Sequence, residues 1–220
     1  EEFLDGPEGS LFAICGWDDE HGAVVHPLQP AQDFKRIRDG DEGPNTGGMG
    51  AYTPLPWAPE GLVDEVLATV LRPTVEEMAR RGTPFTGLLY AGLALTSRGV
   101  RVVEFNARFG DPETQIYLTR LENDLVDLLE ASIDGTLAGH ELRWSAQSSV
   151  CVVMASGGYP GNYEKGKVIT GIADANALPG VKVFHAGTKL DDGNVVNAGG
   201  RVLGVTALGQ GLQAARDLAY

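Results

Sequence analysis

The chain has 220 residues, of which 43% are hydrophobic and 21% charged, so it can bury a core and form one large domain or two small ones. Its formal net charge is −13 at pH 7, and a field of that sign repels nucleic-acid phosphates and anionic membrane surfaces. We therefore predict no nucleic-acid and no membrane partner. A small phosphorylated ligand stays compatible, because a bound cation offsets its charge.

The cysteines and histidines indicate no disulfide and no zinc site. Cys15 and Cys151 lie far apart, each inside an apolar run, which is typical of core thiols in a reducing compartment. The four histidines lack HxxxH and HExxH spacing. No stretch approaches the ~18 consecutive apolar residues of a membrane span.

The first part of the chain predicts two strands, a loop and a helix. Residues 11–17 and 23–28 predict strands around the polar turn DDEHG. Residues 29–50 predict a long loop whose apolar residues indicate order. Residues 59–82 carry apolar residues at helical spacing, and Pro73 must kink or split that helix.

Two further strands and two helices follow. Residues 87–96 and 100–106 predict adjacent strands joined by the turn SRG, the first buried on both faces. Residues 112–121 and 123–134 predict helices, with Asn123 as the N-cap of the second.

A polar, irregular stretch over residues 139–148 predicts a boundary, and we divide the chain into domains 1–143 and 144–220. Beyond the boundary the segments SVCVVMA, KVITG, VKVFHAG, NVVN and RVLGVTAL predict short strands. An amphipathic helix is expected to begin near Gln210.

The segment VVEFNARFGDPE carries the strongest chemical signal. Glu104 and Asn106 are two residues apart on a strand, so both side chains project from one face. Carboxylate and amide oxygens are hard ligands that suit Mg²⁺. Arg108 follows at the next position of that face, and Asp111 and Glu113 come directly after the strand. The alternative is a strand end with ordinary solvated charges.

Three other segments have weaker signals. EEFLDGPE offers backbone groups and carboxylates that suit a nucleoside, or else a surface turn. In DFKRIRDGDEGPNTGGMGAY a basic cluster that includes Lys35 precedes a glycine-rich loop, although the P-loop motif is absent. Its N–H groups could cradle an anion, and the alternative is a solvated charged loop. HAGTK and NAGGRV each couple a glycine turn to a basic side chain, which suits a phosphate or a plain hairpin.

Together these segments resemble the phosphoribosylamine–glycine ligases, a family of ATP-grasp enzymes in purine biosynthesis. The matching strings run in the family's order over essentially the whole chain, and GPNTGGMGAY and EFNARFGDPETQ are the most specific. The resemblance implies an α+β fold: the C-terminal subdomain of the ATP-grasp domain, with an antiparallel sheet and flanking helices, followed by a small, mostly β C-terminal domain.

The family's reaction implies the substrates and cofactors. ATP would phosphorylate the carboxylate of glycine, and the amine of 5-phosphoribosylamine would attack the resulting acyl phosphate. The cofactors implied are ATP and Mg²⁺ or Mn²⁺, and the protein is expected to be a cytoplasmic monomer. Positioning and charge neutralisation would supply most of the catalysis, with no protein nucleophile.

The resemblance also assigns roles to individual residues. Glu104 and Asn106 would bind the metal, and Arg108 would act on the transferring phosphoryl group as the catalytic residue. ATP would be held by Glu1, Phe3, Leu4, Glu8 and Lys35. Glycine and the amine would contact Asn45, Thr46, Gly47, Gly48, Met49, Gly50, Asp111 and Glu113. The sugar phosphate would contact His185, Thr188, Lys189 and Arg201.

Two departures from the family pattern leave alternatives open. The N-terminal domain and the ATP-grasp subdomain with its phosphate-binding lysine do not precede Glu1, so we expect a partial chain of low activity. The strand GLLYAGLAL has no carboxylate, which leaves the number of metals open. The competing hypotheses are a related ligase for another carboxylate and amine, and a non-catalytic module that binds nucleotide.

Overall fold

A computed structural model describes residues 3–220, which divide into two compact units. The first unit contains residues 3–32, 54–110 and 121–145. The second contains Asp33–Thr53, Asp111–Arg120 and Ala146–Tyr220. The second unit thus takes two segments that precede residue 143, and the sequence-based domain boundary there stays a prediction.

The elements follow one another as mixed strands and helices. The strands are β1 (Glu8–Asp18), β2 (Gly22–Pro27), β3 (Gln32–Asp33), β4 (Arg36–Arg38), β5 (Glu42–Asn45), β6 (Gly50–Thr53), β7 (Gly87–Thr96), β8 (Gly99–Asn106), β9 (Ser148–Ala155), β10 (Val181–His185), β11 (Thr188–Asp191), β12 (Asn194–Asn197) and β13 (Arg201–Gly209). The α-helices are α1 (Leu62–Val66), α2 (Arg72–Arg80), α3 (Glu113–Arg120), α4 (Leu125–Asp134), α5 (Ile172–Asn176) and α6 (Leu212–Ala219). No helix within residues 3–220 is long and apolar enough to cross a membrane.

The first unit is built on an antiparallel sheet with the strand order β2-β1-β7-β8. The central strands β1 and β7 are apolar on both faces, as expected for strands covered on both sides. On one face, Leu11 and Leu93 pack against Val66 and Val75 of the helical segment. On the other, Ser132 Oγ of α4 donates to Cys15 O at 2.6 Å. The predicted strands of this unit are confirmed.

The helix predicted over 59–82 is split, as Pro73 requires. A π-helical turn, Leu67–Leu71, separates α1 from α2, and Pro73 lies in the first turn of α2. Proline has no N–H, and its ring collides with the carbonyl four residues earlier in a regular α-helix. The wider π turn directly before the proline accommodates both effects.

Two predictions of loop and strand segments are wrong. Residues 29–50 are not a structureless loop, because they contain β3, β4 and β5 and enter β6 at Gly50. β4 and β5 form a charged hairpin whose turn uses positive φ at Gly40 and Asp41. Apolar periodicity did not predict this hairpin, because its strands carry charged residues. KVITG forms no strand, only a single bridge from Val168 to Val196.

The N-cap of α4 is Asp124 and not Asn123. The Asp124 carboxylate accepts from Val126 N at 2.8 Å, and the Asp124 backbone is extended. Asn123 instead joins the irregular segment after α4: its Nδ2 donates to Glu141 O at 2.9 Å, and its Oδ1 accepts from Arg143 N at 2.7 Å. Both residue types favour the cap, so only the backbone path distinguishes them.

Replacing Asp124 by Ala is expected to lower the free energy of unfolding by about 1 kcal/mol, because Val126 N–H loses its partner at the end of the helix. Urea unfolding followed by circular dichroism measures this difference. Glu130→Ala, at an exposed position of the same helix, serves as the control. Equal stabilities of the two variants would contradict the assignment.

The second unit contains a five-stranded sheet with the order β10-β13-β9-β6-β3. α6 covers one face, where Ala219 packs with Val181, Ala207 and the neighbouring Val150 of β9. α3 lies on the opposite face, where Thr119 Oγ1 and Ser149 Oγ are 2.8 Å apart. β11 and β12 form a separate hairpin.

Candidate functional site

The predicted metal motif lies on β8, at the edge of the sheet of the first unit. Glu104 pairs with Gly92 and Asn106 with Tyr90, so both side chains project from one face. Asn106 Nδ2 donates to Glu104 Oε1 at 3.0 Å, which confirms that the two side chains are neighbours. Glu104 is exposed, and its carboxylate has room for a ligand.

Gly92 is a residue of this site that sequence reasoning missed. A β-carbon at this position would lie 3.3 Å from Glu104 Cγ, so any larger residue would crowd the carboxylate. A glycine inside an otherwise apolar strand is the signal that could have identified it. A β-bulge just before Glu104 also changes the register, since Leu93 pairs with Val102 and Val103 is left over.

The donor set of β8 fits a magnesium or manganese ion that also binds phosphate. Mg²⁺ commonly takes one or two protein oxygen ligands and completes its octahedron with water and substrate phosphates. Glu104 and Asn106 supply two such oxygens. Among residues 3–220 no cluster of three or more His, Cys, Asp or Glu could hold a metal by itself. A metal held by these two residues would complete its coordination with water and substrate phosphates.

Arg108 follows the strand with its guanidinium exposed to solvent. Its Nη1 donates to Phe109 O at 3.1 Å, a contact that leaves the other N–H groups of the fork for a ligand. An exposed arginine two residues beyond an acidic metal motif can neutralise negative charge next to the cation.

The segment before β1 is anchored by contacts that the sequence did not reveal. The Asp5 carboxylate accepts from Ser97 N at 3.2 Å and from Ser97 Oγ at 2.8 Å, which lowers the pKa of Asp5. Gly6 has φ +90°, and a side chain there would collide with Leu95 O. Of the predicted nucleotide ligands, Phe3 is exposed and Glu8 begins β1, whereas Glu1 lies outside the described residues.

Leu4, another predicted nucleotide ligand, is half-buried in the segment before β1. Lys35, the remaining predicted nucleotide ligand, lies in the second unit, and its Nζ is 2.9 Å from Asp33 Oδ2. The Asp33 side chain is mostly buried, so the Lys35 charge is partly neutralised. Nucleotide binding by these residues stays a prediction.

The glycine-rich loop Asn45–Gly50 does not form the expected cradle of N–H groups. Thr46 N donates to Lys35 O at 2.7 Å and Gly48 N to Thr46 Oγ1 at 3.1 Å. Met49 N donates to Phe34 O at 2.7 Å and Gly47 N to Tyr159 Oη at 3.3 Å. Because these four N–H groups have partners inside the protein, that part of the hypothesis is wrong. The exposed side chain of Asn45 is what the loop offers to a ligand.

Arg201 connects this loop to the residues that follow β8 in the sequence. Its Nη1 donates to Gly47 O at 2.6 Å, to Gly48 O at 3.1 Å and to Asp111 O at 2.6 Å. Its Nη2 is 3.0 Å from Asp111 Oδ2. The structure thus brings together three parts of the predicted substrate site that are distant in sequence.

Two acidic residues accompany this cluster at the start of α3. Asp111 Oδ1 accepts from Gln115 Nε2 at 2.7 Å, and Glu113 is only 3% exposed.

Cys151 is buried in the second unit, and burial raises the pKa of its thiol to about 11. Burial likewise raises the pKa of Cys15 to about 12. Both thiols are free, protonated core residues, as predicted.

The two glycine turns predicted for the sugar phosphate lie side by side. Gly187 N donates to Arg201 O at 2.9 Å, and Ala198 N donates to Gly187 O at 2.7 Å. His185 Nδ1 and Thr188 Oγ1 are 2.9 Å apart, with the histidine exposed. Lys189 Nζ is 3.3 Å from Asp191 Oδ2. Both side chains are exposed, so a phosphate could replace the Asp191 carboxylate as the partner of Lys189.

Asn197 is a second residue that the sequence did not single out. Its Nδ2 donates to Ser156 Oγ and to Glu164 O, both at 2.7 Å, and its Oδ1 accepts from Lys167 N at 2.7 Å. The side chain is buried with both ends satisfied, so it holds the SGGYPG segment against β12.

Solved structures share this fold. A phosphoribosylamine–glycine ligase of Thermotoga maritima superimposes with a TM-score of 0.82 at 34% identity, over 100% of this chain and 52% of that one. An N5-carboxyaminoimidazole ribonucleotide synthetase of Thermus thermophilus gives a TM-score of 0.62 at 18% identity, which shows likeness of fold alone. The predicted α+β fold with antiparallel sheets is confirmed.

The family models divide the chain in the same order. Residues 1–114 match the ATP-grasp (A) domain of phosphoribosylglycinamide synthetase, and residues 149–220 match its C domain. The chain belongs to the phosphoribosylglycinamide synthetase family.

Curated relatives agree with that assignment. A phosphoribosylamine–glycine ligase of Streptomyces coelicolor is 63% identical over 100% of this chain and 52% of its own length. The chloroplastic ligase of Arabidopsis thaliana is 53% identical over 100% of this chain and 41% of its own length. This chain therefore spans about half the length of the relatives it matches.

Proposed function

We propose that this chain is part of an ATP-dependent ligase that joins glycine to 5-phosphoribosylamine through a glycyl phosphate. The products are glycinamide ribonucleotide, ADP and phosphate, in purine biosynthesis. The observation that carries the proposal is the adjacent Glu104–Asn106 pair on β8, in a chain whose relatives have the name of this ligase.

The nucleotide side of the reaction is assigned to the first unit. Glu104 and Asn106 would hold Mg²⁺ or Mn²⁺, which offsets the negative charge of the ATP phosphates when it is bound. Arg108 would place its planar guanidinium on the phosphoryl group during transfer, where negative charge spreads over the equatorial oxygens. Glu1, Phe3, Leu4 and Glu8 are proposed for the adenosine, together with Lys35 of the second unit.

The acceptor side is assigned to the second unit. The loop Asn45–Gly50 with Asp111 and Glu113 would bind glycine and the amine: the carboxylates attract the ammonium groups and the Asn45 amide donates to a carboxylate. His185, Thr188 and Lys189 would contact the sugar phosphate, whereas Arg201, predicted with them, donates to Gly47, Gly48 and Asp111 instead. We retain a monomer in the cytoplasm as part of the proposal, on the resemblance alone.

The test compares the 220-residue chain with the same chain extended to the length of its relatives, called here the extended protein. We expect ADP release from the extended protein only when glycine and phosphoribosylamine are both present. The 220-residue chain is expected to be much slower, because phosphoryl transfer needs a closed site that excludes water. Equal rates would show that the added part of the extended protein is not needed for phosphoryl transfer.

A substrate panel separates the competing hypotheses. A ligase for another carboxylate and amine would release ADP with those compounds and not with glycine. A non-catalytic module would bind ATP without any substrate-dependent release of ADP. Either result would overturn the proposed reaction.

A further inference from the structure

We propose that Arg201 is a positioning residue that fixes the loop Asn45–Gly50 and the Asp111–Pro112 turn in one arrangement, so that Asn45 and the Asp111 carboxylate face the substrates as a unit. The inference rests on the proposed function for the identity of the substrates. The proposed contact between Arg201 and the loop does not depend on that function.

The hydrogen bonds of Arg201 are the first support. A single Nη1 group serves three carbonyl oxygens, those of Gly47, Gly48 and Asp111, which come from two segments far apart in sequence. The guanidinium side chain is only 22% exposed, so without it these carbonyls would lose partners that water could replace only in part. The ion pair with Asp111 Oδ2 at 3.0 Å orients the carboxylate as well.

The packing of the two glycines is the second support. A β-carbon on Gly47 would lie 3.0 Å from Arg201 Cζ, so the guanidinium rests flat against this residue. A β-carbon on Gly48 would lie 2.7 Å from Pro112 Cδ, and φ there is +109°. The glycines of this loop thus admit the arginine and the turn, whereas their N–H groups point to partners inside the protein.

The charge of Arg201 is already compensated in this arrangement. Its guanidinium faces one carboxylate oxygen and three carbonyl oxygens, which leaves less of its field for a phosphate than the exposed Lys189 has. A lysine could not replace it, because an ammonium group is a compact charge without a flat fork. Arg201→Lys therefore keeps the charge and removes the geometry.

Hydrogen exchange on the 220-residue chain tests the structural half. In Arg201→Lys, the amides of residues 46–49 are expected to exchange about tenfold faster, while those of β7 keep their rates. Arg216→Lys, on the exposed side of α6, is the matched control. Unchanged exchange of the loop in a folded Arg201→Lys variant would overturn the proposal.

A double-mutant cycle adds a control on the contact itself. Gly47→Ala is expected to loosen the loop when Arg201 is present, since the new methyl group displaces the guanidinium. In the Arg201→Lys background the same change should have much less effect, because lysine has no planar guanidinium for the new methyl group to displace. Additive effects of the two changes would show that the contact does not hold the loop.

Kinetics of the extended protein tests the functional half. Arg201→Lys is expected to raise KM for glycine and for phosphoribosylamine together, by about tenfold each, with KM for ATP unchanged. A rise for phosphoribosylamine alone would make Arg201 a phosphate ligand and overturn the positioning role. If the extended protein has no ligase activity, the proposed function fails, but hydrogen exchange and the cycle still decide whether Arg201 holds the loop.

Discussion

Replacing Glu104 by Gln in the extended protein is expected to lower kcat by about 100-fold or more while the fold stays intact. The change removes one negative charge from the two-oxygen site on β8, where Asn106 Nδ2 already donates to Glu104 Oε1. The remaining amide oxygens are weak ligands, so the cation that must offset the phosphate charges is held loosely.

The measurement is substrate-dependent ADP release over a titration of Mg²⁺, with Mn²⁺ as a second cation. Glu76→Gln, an exposed glutamate of α2 in the same unit, is the matched control for loss of charge. Circular dichroism establishes that both variants are folded. Full activity of Glu104→Gln at saturating Mg²⁺ would show that β8 does not hold the metal.

Replacing Arg108 by Lys is expected to lower kcat on the order of 10²- to 10³-fold, with a smaller change in KM for ATP. Lysine keeps the positive charge but loses the planar fork that matches the equatorial oxygens of the phosphoryl group. The effect falls mainly on kcat because this match is made in the transition state.

Steady-state kinetics with ATP as the varied substrate measures both constants. Arg143→Lys, an exposed arginine in the first unit, is the control. A change confined to KM for ATP would assign Arg108 to ground-state binding of the nucleotide, and the proposed role in transfer would be wrong.

Local sequence patterns predicted the parts of the fold that depend on local chemistry. The apolar runs of β1 and β7 predicted strands, with β7 buried on both faces, and both strands are central in their sheet. The two-residue spacing of Glu104 and Asn106 predicted a shared face, since side chains alternate along any strand. Pro73 predicted a break, because its missing N–H is a property of the residue itself.

The errors arose where the local chemistry of the residues allows more than one conformation or hydrogen-bond partner. Asn123 and Asp124 are both good N-caps, and the path of the chain selected the second. The hairpin of β4 and β5 has no apolar alternation, so its charged residues resembled a loop. The N–H groups of residues 46–49 were expected to face an anion, whereas neighbouring carbonyls and hydroxyls of the protein took them.

The amino-acid sequence by itself determined the strands of the first sheet, the split helix, the burial of both cysteines and the shared face of Glu104 and Asn106 on β8, because each follows from periodicity or from the covalent nature of single residues. Only the tertiary structure decided what Arg201 contacts. Gly47, Asp111 and Arg201 are separated by long stretches of chain, and nothing in their local patterns fixes which of them meet. The folding of the second unit brought them together, and the space that a guanidinium needs explains why glycine stands at position 47.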